Sequence, residues 1–167
     1  MDADAKKIAL RMIPYGIYVL AGRGPDGTIA AATVNWVTQT AFAPPLVVVG
    51  VKADSQSYRA IQSAGVFALN MLGKGQEGLA FDFFKPTQLE GGKLNGEPFH
   101  AGTTGAPILD NAPACIECKV VEVVARGDHH IVIGEVVEAH VAKAPPGRPD
   151  DATLEMRELG PKVFYGG

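Results

Sequence analysis

A polar segment with the side chains needed to bind a phosphate group lies in the first half of the chain. Lys52 to Ser57 follows an apolar run and directly precedes a predicted helix over 58–64. The hydroxyls of Ser55 and Ser57, the free amides of the first helical turn and the charge of Lys52 can each donate to a phosphate. The alternative is an ordinary helix N-cap, because serine is common at helix starts.

A second candidate is a strand that carries polar side chains beside the single tryptophan. Residues 33–40 read Thr-Val-Asn-Trp-Val-Thr-Gln-Thr, with Asn35 and Thr38 on either side of Trp36. Buried amides and hydroxyls need partners, so this strand either faces solvent at a sheet edge or hydrogen-bonds a ligand. An isoalloxazine ring suits it, because its pyrimidine end offers hydrogen-bonding atoms while its aromatic body packs on apolar surface.

Two further motifs have more ordinary interpretations. Residues 22–27 match G-x-G-x-x-G, but the following residues 28–34 are β-prone, whereas a dinucleotide-binding loop must open a helix. The sequence Pro25-Asp26-Gly27 is typical of a β-turn, which favours a hairpin. Cys115 and Cys118 form a C-x-x-C within an alternating strand pattern, which places them on opposite faces. We interpret them as reduced, structural thiols and predict no metal site.

Composition indicates one globular domain over residues 1–167. Apolar residues make up 47% and charged residues 20% of the chain, and the net charge is −3 with a pI near 5.8. An acidic chain lacks the field that drives nucleic-acid binding, so no nucleic-acid partner is expected. No stretch approaches the roughly 20 apolar residues of a membrane span, and Arg11 and Pro14 interrupt any signal-peptide core. The expected location is cytoplasmic, with no membrane partner.

Strands connected as hairpins must position these residues. The pattern predicts a helix over 2–11, which Pro14 ends, and short helices over 58–64 and 76–84. The predicted strands are 15–21, 28–37, 46–51, 66–72, 114–125 and 130–141. The run 46–51 is apolar throughout, which is typical of a strand buried on both faces. Residues 85–98 are predicted to be a loop, and 144–167 a stiff connector and an arm across a neighbouring subunit. This count predicts a mainly β fold with short helices, an antiparallel, Greek-key-like closed or split barrel.

Four blocks of the sequence resemble the FMN-binding split-barrel flavin reductases in order and spacing. Residues 33–49 resemble the family's strand and Pro-Pro turn, and residues 52–61 resemble its phosphate loop and helix. Residues 65–72 are similar to its G-x-F-x-x-N-x-L strand, and Gly127-Asp128-His129 is similar to its Gly-Asp-His hairpin. The tail 159–167 is similar, more loosely, to the C-terminal ends of one branch. The resemblance implies a homodimer with FMN in a groove near the subunit interface.

The resemblance also implies roles for individual residues. Those expected to line the flavin ring are Asn35, Trp36, Val37 and Thr38, and Thr33 is also expected to bind the cofactor. Those expected around the ribityl chain and phosphate are Lys52, Asp54, Ser55 and Ser57. Lys85 and Lys93 fall in the place of the family's basic loop, where Leu94 stands instead of the usual phenylalanine. His129 is expected to contact the nicotinamide or the flavin edge, the alternative being that it closes its turn by bonding its own backbone.

Family members commonly transfer a hydride from NADH or NADPH to a bound flavin. The resemblance therefore implies an NAD(P)H:flavin oxidoreductase that binds FMN, or FAD, and supplies reduced flavin to a partner monooxygenase. Two alternatives stay open at this point. One is an FMN-binding electron carrier that does not use nicotinamide, and the other is a non-catalytic barrel that acts in protein interactions.

Overall fold

Eleven strands run through the chain, which a computed structural model describes over residues 1–167. In chain order they are β1 Tyr18–Arg23, β2 Ile29–Val34, β3 Val37–Phe42, β4 Pro45–Lys52, β5 Val66–Met71, β6 Leu89–Glu90, β7 Lys93–Leu94, β8 Glu97–Ala101, β9 Pro107–Leu109, β10 Ala114–Val124 and β11 His129–Val141. Seven form an antiparallel sheet in the order β2-β1-β5-β10-β11-β4-β3, and four form a small sheet in the order β6-β7-β8-β9. The edge strand β2 also contacts β4 near the opposite edge, so the large sheet curls on itself.

Three helices accompany the sheets: α1 Ala3–Arg11, α2 Gln56–Ala64 and α3 Glu77–Asp82. Asp2 caps α1, accepting from the amide of Ala5 at 2.6 Å. The helix α2 ends at Gly65, which adopts φ +69°, a conformation that glycine takes without strain. Two 3₁₀ turns, Asp150–Ala152 and Met156–Leu159, lie in the C-terminal segment. None of these helices has the length and apolar character needed to cross a bilayer.

The core divides into two main apolar clusters. One lies between the curled sheet and α2 and includes Leu20, Val49 and Phe67. Phe67 packs against Gly134, where an added Cβ would lie 2.5 Å from the phenyl ring, so this strand position needs glycine. The other cluster joins β1 and α3 to the C-terminal segment through buried Leu154. The C-terminal segment is therefore part of the core of its own chain.

Most predicted elements are present, and the mainly β, antiparallel fold is confirmed. The hairpins β1-β2 and β10-β11 pair as the turn residues indicate. The helices α1, α2 and α3 lie within a few residues of their predicted bounds. The two cysteines belong to different clusters, as a period-two pattern predicts, and both are buried and free. Burial raises the pKa of each thiol to about 12, which makes both poor nucleophiles.

Three expectations about elements differ from the structure. The run predicted as one strand over 28–37 breaks at Asn35-Trp36, and a separate strand β3 follows that pairs with β4. The predicted loop 85–98 contains β6, β7 and the start of β8. The strand β4 is buried on one face only, because Leu46, Val48 and Gly50 stay partly exposed on the other. The C-terminal segment also packs on its own chain, where the amide of Ile17 donates to the carbonyl of Leu154 at 2.8 Å; its expected contact with a neighbouring subunit stays a prediction.

Candidate functional site

A cavity of about 280 Å³ opens between β2, β4, the start of α2, the end of α3 and the C-terminal tail. This volume is just below the range of about 300 to 1,000 Å³ that is typical of small-molecule sites. Half of the lining is apolar, and the polar side chains come from four separate segments. The lining residues are Ala32, Thr33, Val34, Asn35, Gly50, Val51, Lys52, Ser55, Ser57, Phe83, Phe84, His129, Met156 and Tyr165.

One end of the cavity is built by the start of α2. Ser55 is the N-cap, and its hydroxyl oxygen accepts from the amide of Tyr58 at 3.1 Å. Ser57 is buried and its hydroxyl makes no hydrogen bond within the chain. The amides of a first helical turn have no intrahelical acceptor, and the aligned peptide dipoles favour an anion there. Lys52 lines the same end and forms a 3.2 Å ion pair with Asp54, whose side chain points to solvent.

The opposite wall is formed where β2 ends. Asn35 is buried and its side-chain amide donates to the backbone carbonyl of Tyr165 at 3.1 Å. Trp36 packs flat on Gly50, where an added Cβ would lie 3.1 Å from the indole. The indole N–H of Trp36 is buried and has no hydrogen-bond partner. Buried donors are nearly always satisfied, so this N–H is an exception; it lies behind the cavity beside the tail, where a Cβ at Gly166 would be 3.6 Å from the indole nitrogen.

His129 lies over Trp36 at the mouth of the cavity. The two ring centroids are 4.7 Å apart in an edge-to-face arrangement, and the ring of Tyr165 lies 5.3 Å from the indole and 5.7 Å from the imidazole, so the three rings contact one another. Nδ1 of His129 is 3.1 Å from the carboxylate of Asp128, and Nε2 is 2.6 Å from the hydroxyl of Tyr165. A carboxylate only accepts, so in the neutral imidazole Nδ1 carries the hydrogen and Nε2 accepts from Tyr165. Burial raises the pKa of Tyr165, so its hydroxyl keeps its hydrogen at neutral pH.

The structure brings together six of the residues expected at the site. One cavity is lined by three residues of the segment 52–57, which was predicted to bind a phosphate, and by three residues from elsewhere. They are Lys52, Ser55 and Ser57, and Thr33, Asn35 and His129. Trp36 stands directly behind the wall that His129 and Tyr165 form. The alternative role for His129, closing its turn through its own backbone, does not describe the side chain, whose two nitrogens bond Asp128 and Tyr165.

Five other expected residues do not line this cavity. Val37 and Thr38 line a different cavity on the far side of the break at Trp36, because β3 runs on along β4 instead of continuing β2. Asp54 is 77% exposed at its side chain and reaches the site only through Lys52. Lys85 pairs with Asp82 in solvent at 2.8 Å, and Lys93 is exposed on β7. Lys93 therefore belongs to the small second sheet and is absent from the lining of the cavity.

Several lining residues were not expected from the sequence. Phe83 and Phe84 close the cavity at the end of α3, and Met156 and Tyr165 reach it from the C-terminal segment. Two aromatic residues after a helix are common in a hydrophobic core, so nothing in the sequence indicated that Phe83 and Phe84 line a binding site. Tyr165 lies in the tail block of the family resemblance, which was the one available indication. Its contact with His129 spans 36 residues and depends on how the tail folds back.

The geometry suits a ligand with an anionic end and a flat, polar ring. The anionic end fits the start of α2, where Ser57 and free amides can donate. The ring fits between Asn35 and the aromatic side chains at the mouth. These observations agree with FMN as the ligand, because they supply donors at both ends and apolar surface between.

Comparisons with known proteins find flavin reductases among the relatives of this chain. The model of the flavin reductase like domain matches residues 10–159. A flavin reductase (NADH) of Kitasatospora aureofaciens is 33% identical over 82% of this chain and 71% of its own. An FMN reductase (NADH) of Pseudomonas syringae is 33% identical over 78% of this chain and 72% of its own. The solved styrene monooxygenase flavin reductase of Pseudomonas putida S12 has a TM-score of 0.70, with 26% identity over 84% of this chain and 88% of that one.

Proposed function

The chain belongs to the flavin reductase like domain family, and we propose that it transfers a hydride from NADH or NADPH to FMN held in the cavity at the start of α2. The observation that carries this proposal is the convergence of Ser55, Ser57, Asn35 and His129 on one cavity. An FMN reductase (NADH) among the relatives supports both the flavin and the nicotinamide donor. FAD is the second candidate flavin.

The start of α2 is proposed to hold the phosphate of FMN. The hydroxyl of Ser57 is free to donate, and the hydrogen of Ser55 is free as well, because the oxygen of Ser55 serves as the helix cap. Lys52 adds a positive charge at the same end. Hydrogen bonds to a charged group contribute about 1.5 to 3 kcal/mol each, so two or three of them supply much of the affinity of a small anion.

The wall at the end of β2 is proposed to orient the flavin ring. When bound, FMN supplies the hydride-accepting centre. Asn35 would bind the polar end of the ring, and Phe84, Met156 and Tyr165 would keep water from the cavity in which the ring is held. His129 is held by Asp128 and Tyr165 with a defined tautomer, so it presents a fixed polar edge at the mouth of the cavity.

The direct test is to mix purified protein, FMN and NADH or NADPH and follow the nicotinamide absorbance. Oxidation above the rate with FMN alone supports the proposal, and no oxidation of either nucleotide contradicts it. A Ser55→Ala, Ser57→Ala double variant that folds normally is expected to lose flavin affinity. An electron carrier would instead bind flavin and ignore both nucleotides, and a non-catalytic barrel would show no thermal shift with FMN or FAD.

We further propose that the reduced flavin serves a partner monooxygenase. The solved relative from Pseudomonas putida S12 is by name the flavin reductase of a styrene monooxygenase. The test is whether FMN reduced by this chain dissociates faster than the next turnover, measured by trapping with a flavin-binding protein. FMN that stays bound through many turnovers contradicts a supply role.

A homodimer is proposed from the exposed apolar face of the large sheet. A groove of about 330 Å³ there is lined mostly by apolar side chains, among them Val37, Leu46 and Ile116. Phe42 stands beside it at the end of β3 and is 91% exposed. A second copy covering this face would bury the side of β4 that the single chain leaves open. Light scattering of the wild-type protein is expected to give the mass of a dimer. Phe42→Asp is expected to weaken the dimer. A monomeric wild-type protein would contradict the proposed homodimer.

A further inference from the structure

A second cavity adjoins the first across two side chains. It has a volume of about 320 Å³ and lies between the residues that follow α1 and the C-terminal segment. Met156 and Tyr165 line both cavities, so each forms a partition with one side toward each space. No part of the proposed flavin site uses the residues of the second cavity beyond this partition.

Two guanidinium groups face this second cavity. Arg11 lies 4.2 Å from the centre of the Phe164 ring, and its Nε donates to the carbonyl of Gly166 at 3.3 Å. Arg157 is largely exposed, and its Nε lies 2.7 Å from the carboxylate of Glu155. The terminal nitrogens of both arginines make no hydrogen bond within the chain. Glu155 is the one carboxylate in the lining, so the lining is net positive although the whole chain carries −3.

Free guanidinium nitrogens beside aromatic rings are suited to a phosphorylated nucleoside. Arginine binds phosphate oxygens through paired N–H donors, and the rings of Tyr15 and Phe164 offer surfaces on which a base can stack. A nicotinamide dinucleotide has this chemistry at one end and a flat, uncharged carboxamide ring at the other. Two adjoining cavities, one cationic and one holding the flavin, match its two ends.

We propose that the second cavity binds the phosphate-bearing adenosine end of NADH or NADPH through Arg11 and Arg157, while the nicotinamide end enters the flavin cavity past Tyr165. This inference rests on the proposed function, since it places the hydride donor of that reaction. It assigns the diphosphate, or the 2′-phosphate of NADPH, to the terminal nitrogens of the two arginines. The segment joining the two ends would pass the partition formed by Met156 and Tyr165.

The test compares whole dinucleotides with reduced nicotinamide mononucleotide, which lacks the adenosine end. Arg157→Gln is the first variant, because Arg157 bonds only Glu155 and does not hold the tail. KM for NADH or NADPH is expected to rise about tenfold relative to KM for the mononucleotide, as loss of one charge-assisted hydrogen bond implies. A rise with both dinucleotides assigns the contact to the diphosphate, and a rise with NADPH alone assigns it to the 2′-phosphate. An unchanged ratio for both overturns the proposal.

Arg11 needs a second pair of variants, because it also bonds the tail. Arg11→Lys keeps the charge and is expected to raise the ratio less than Arg11→Gln does. Arg23→Gln serves as the control, since Arg23 is exposed on β1 and lines neither cavity; its ratio should equal that of the wild type. A proportional rise in KM for the mononucleotide in the Arg11 and Arg157 variants would also overturn the proposal, because the effect would then be on the flavin site.

Binding of ADP-ribose and of its 2′-phosphate separates this inference from the proposed function. Calorimetry is expected to detect binding of at least one of them to the wild-type protein, and binding weakened about tenfold in Arg157→Gln. This measurement does not need hydride transfer. If the protein oxidises neither NADH nor NADPH, the proposed function is wrong. The binding of ADP-ribose then still shows whether the second cavity binds an adenosine diphosphate group. If it oxidises NADH but binds neither ADP-ribose nor its 2′-phosphate, the proposed function holds and the proposal that the second cavity binds the adenosine end is wrong.

Discussion

Three histidines of this protein each lie beside a carboxylate, and two of these pairs differ in how completely their polar groups are satisfied. Glu117 on β10 is fully buried and accepts from the amides of Thr103 and Thr104 at 2.9 and 2.7 Å, from the Thr104 hydroxyl and from Nε2 of His140 at 2.7 Å. At the candidate site Asp128 is 92% exposed, and its side chain bonds only His129.

The difference indicates which region stabilises the fold and which is available for a ligand. Burial by itself raises the pKa of Glu117, but the hydrogen bonds from Thr104, His140 and Thr103 outweigh it and lower the pKa to about 2. Around Glu117 the carboxylate is therefore charged and fully partnered. At the candidate site the hydroxyl of Ser57 and the indole N–H of Trp36 have no partner in the chain. Substitutions should therefore separate the two regions, one losing stability and the other ligand affinity.

The largest effect is expected from Glu117→Ala. It removes the shared acceptor of the Thr103 and Thr104 amides, the Thr104 hydroxyl and His140, which should cost about 3 kcal/mol of unfolding free energy. Urea unfolding measures this, with Glu122→Ala on the same strand as the control, because Glu122 is exposed. Equal stability of the two variants would show that the cluster around Glu117 does not hold the loop at 102–105.

The second prediction concerns acid stability and uses the same carboxylate. In the unfolded chain Glu117 takes up a proton near pH 4.5, whereas in the folded chain its pKa is about 2. Between these values the unfolded state binds more protons, so the contribution of Glu117 is complete above pH 4.5 and is lost as pH falls toward 2. Glu117→Gln should therefore lose less stability than the wild type between pH 6 and pH 3. Parallel unfolding curves for the two proteins across this range would contradict the assignment.

The third prediction moves to the candidate site, where Ser57→Ala should lower FMN affinity about tenfold. One hydrogen bond to a charged phosphate is lost, while the helix cap at Ser55 stays in place. Fluorescence titration of FMN measures it, and unfolding free energy should be nearly unchanged. Ser63→Ala is the matched control, since Ser63 lies on the same helix outside the cavity and donates to Ala60. Equal flavin affinity in the two variants would contradict the proposal that the start of α2 binds the phosphate.

The smallest effect is expected from Tyr165→Phe, which removes only the hydroxyl that bonds His129. The loss should cost about 0.5 to 1 kcal/mol of unfolding free energy, because Nε2 of His129 can bond water at the cavity mouth. Tyr165→Ala should do more, since it also removes the ring that contacts Trp36. If Tyr165→Phe lost as much unfolding free energy as Glu117→Ala, the candidate site would contribute as much to stability as the cluster around Glu117, which would contradict the comparison.

Local elements of this fold could be predicted from the sequence because short-range physics decides them. Pro14 limits α1, Gly65 ends α2, and the apolar runs and turn residues locate the long hairpin β10-β11. The phosphate-type segment could also be predicted, since a serine N-cap after a strand depends on neighbouring residues only. In the same way, alternation along β10 was enough to separate Cys115 from Cys118.

The rest was decided by the tertiary structure, because it depends on contacts between distant residues. The break at Asn35-Trp36 follows from the packing of Trp36 on Gly50, and it carries Val37 and Thr38 to another cavity. The tail folds back because Leu154 joins a core cluster, and only this brings Tyr165 to His129. The sequence by itself therefore determined the family, the fold class and half of the candidate site. The tertiary structure determined which side chains share one cavity, since loop closure and burial act over the whole chain.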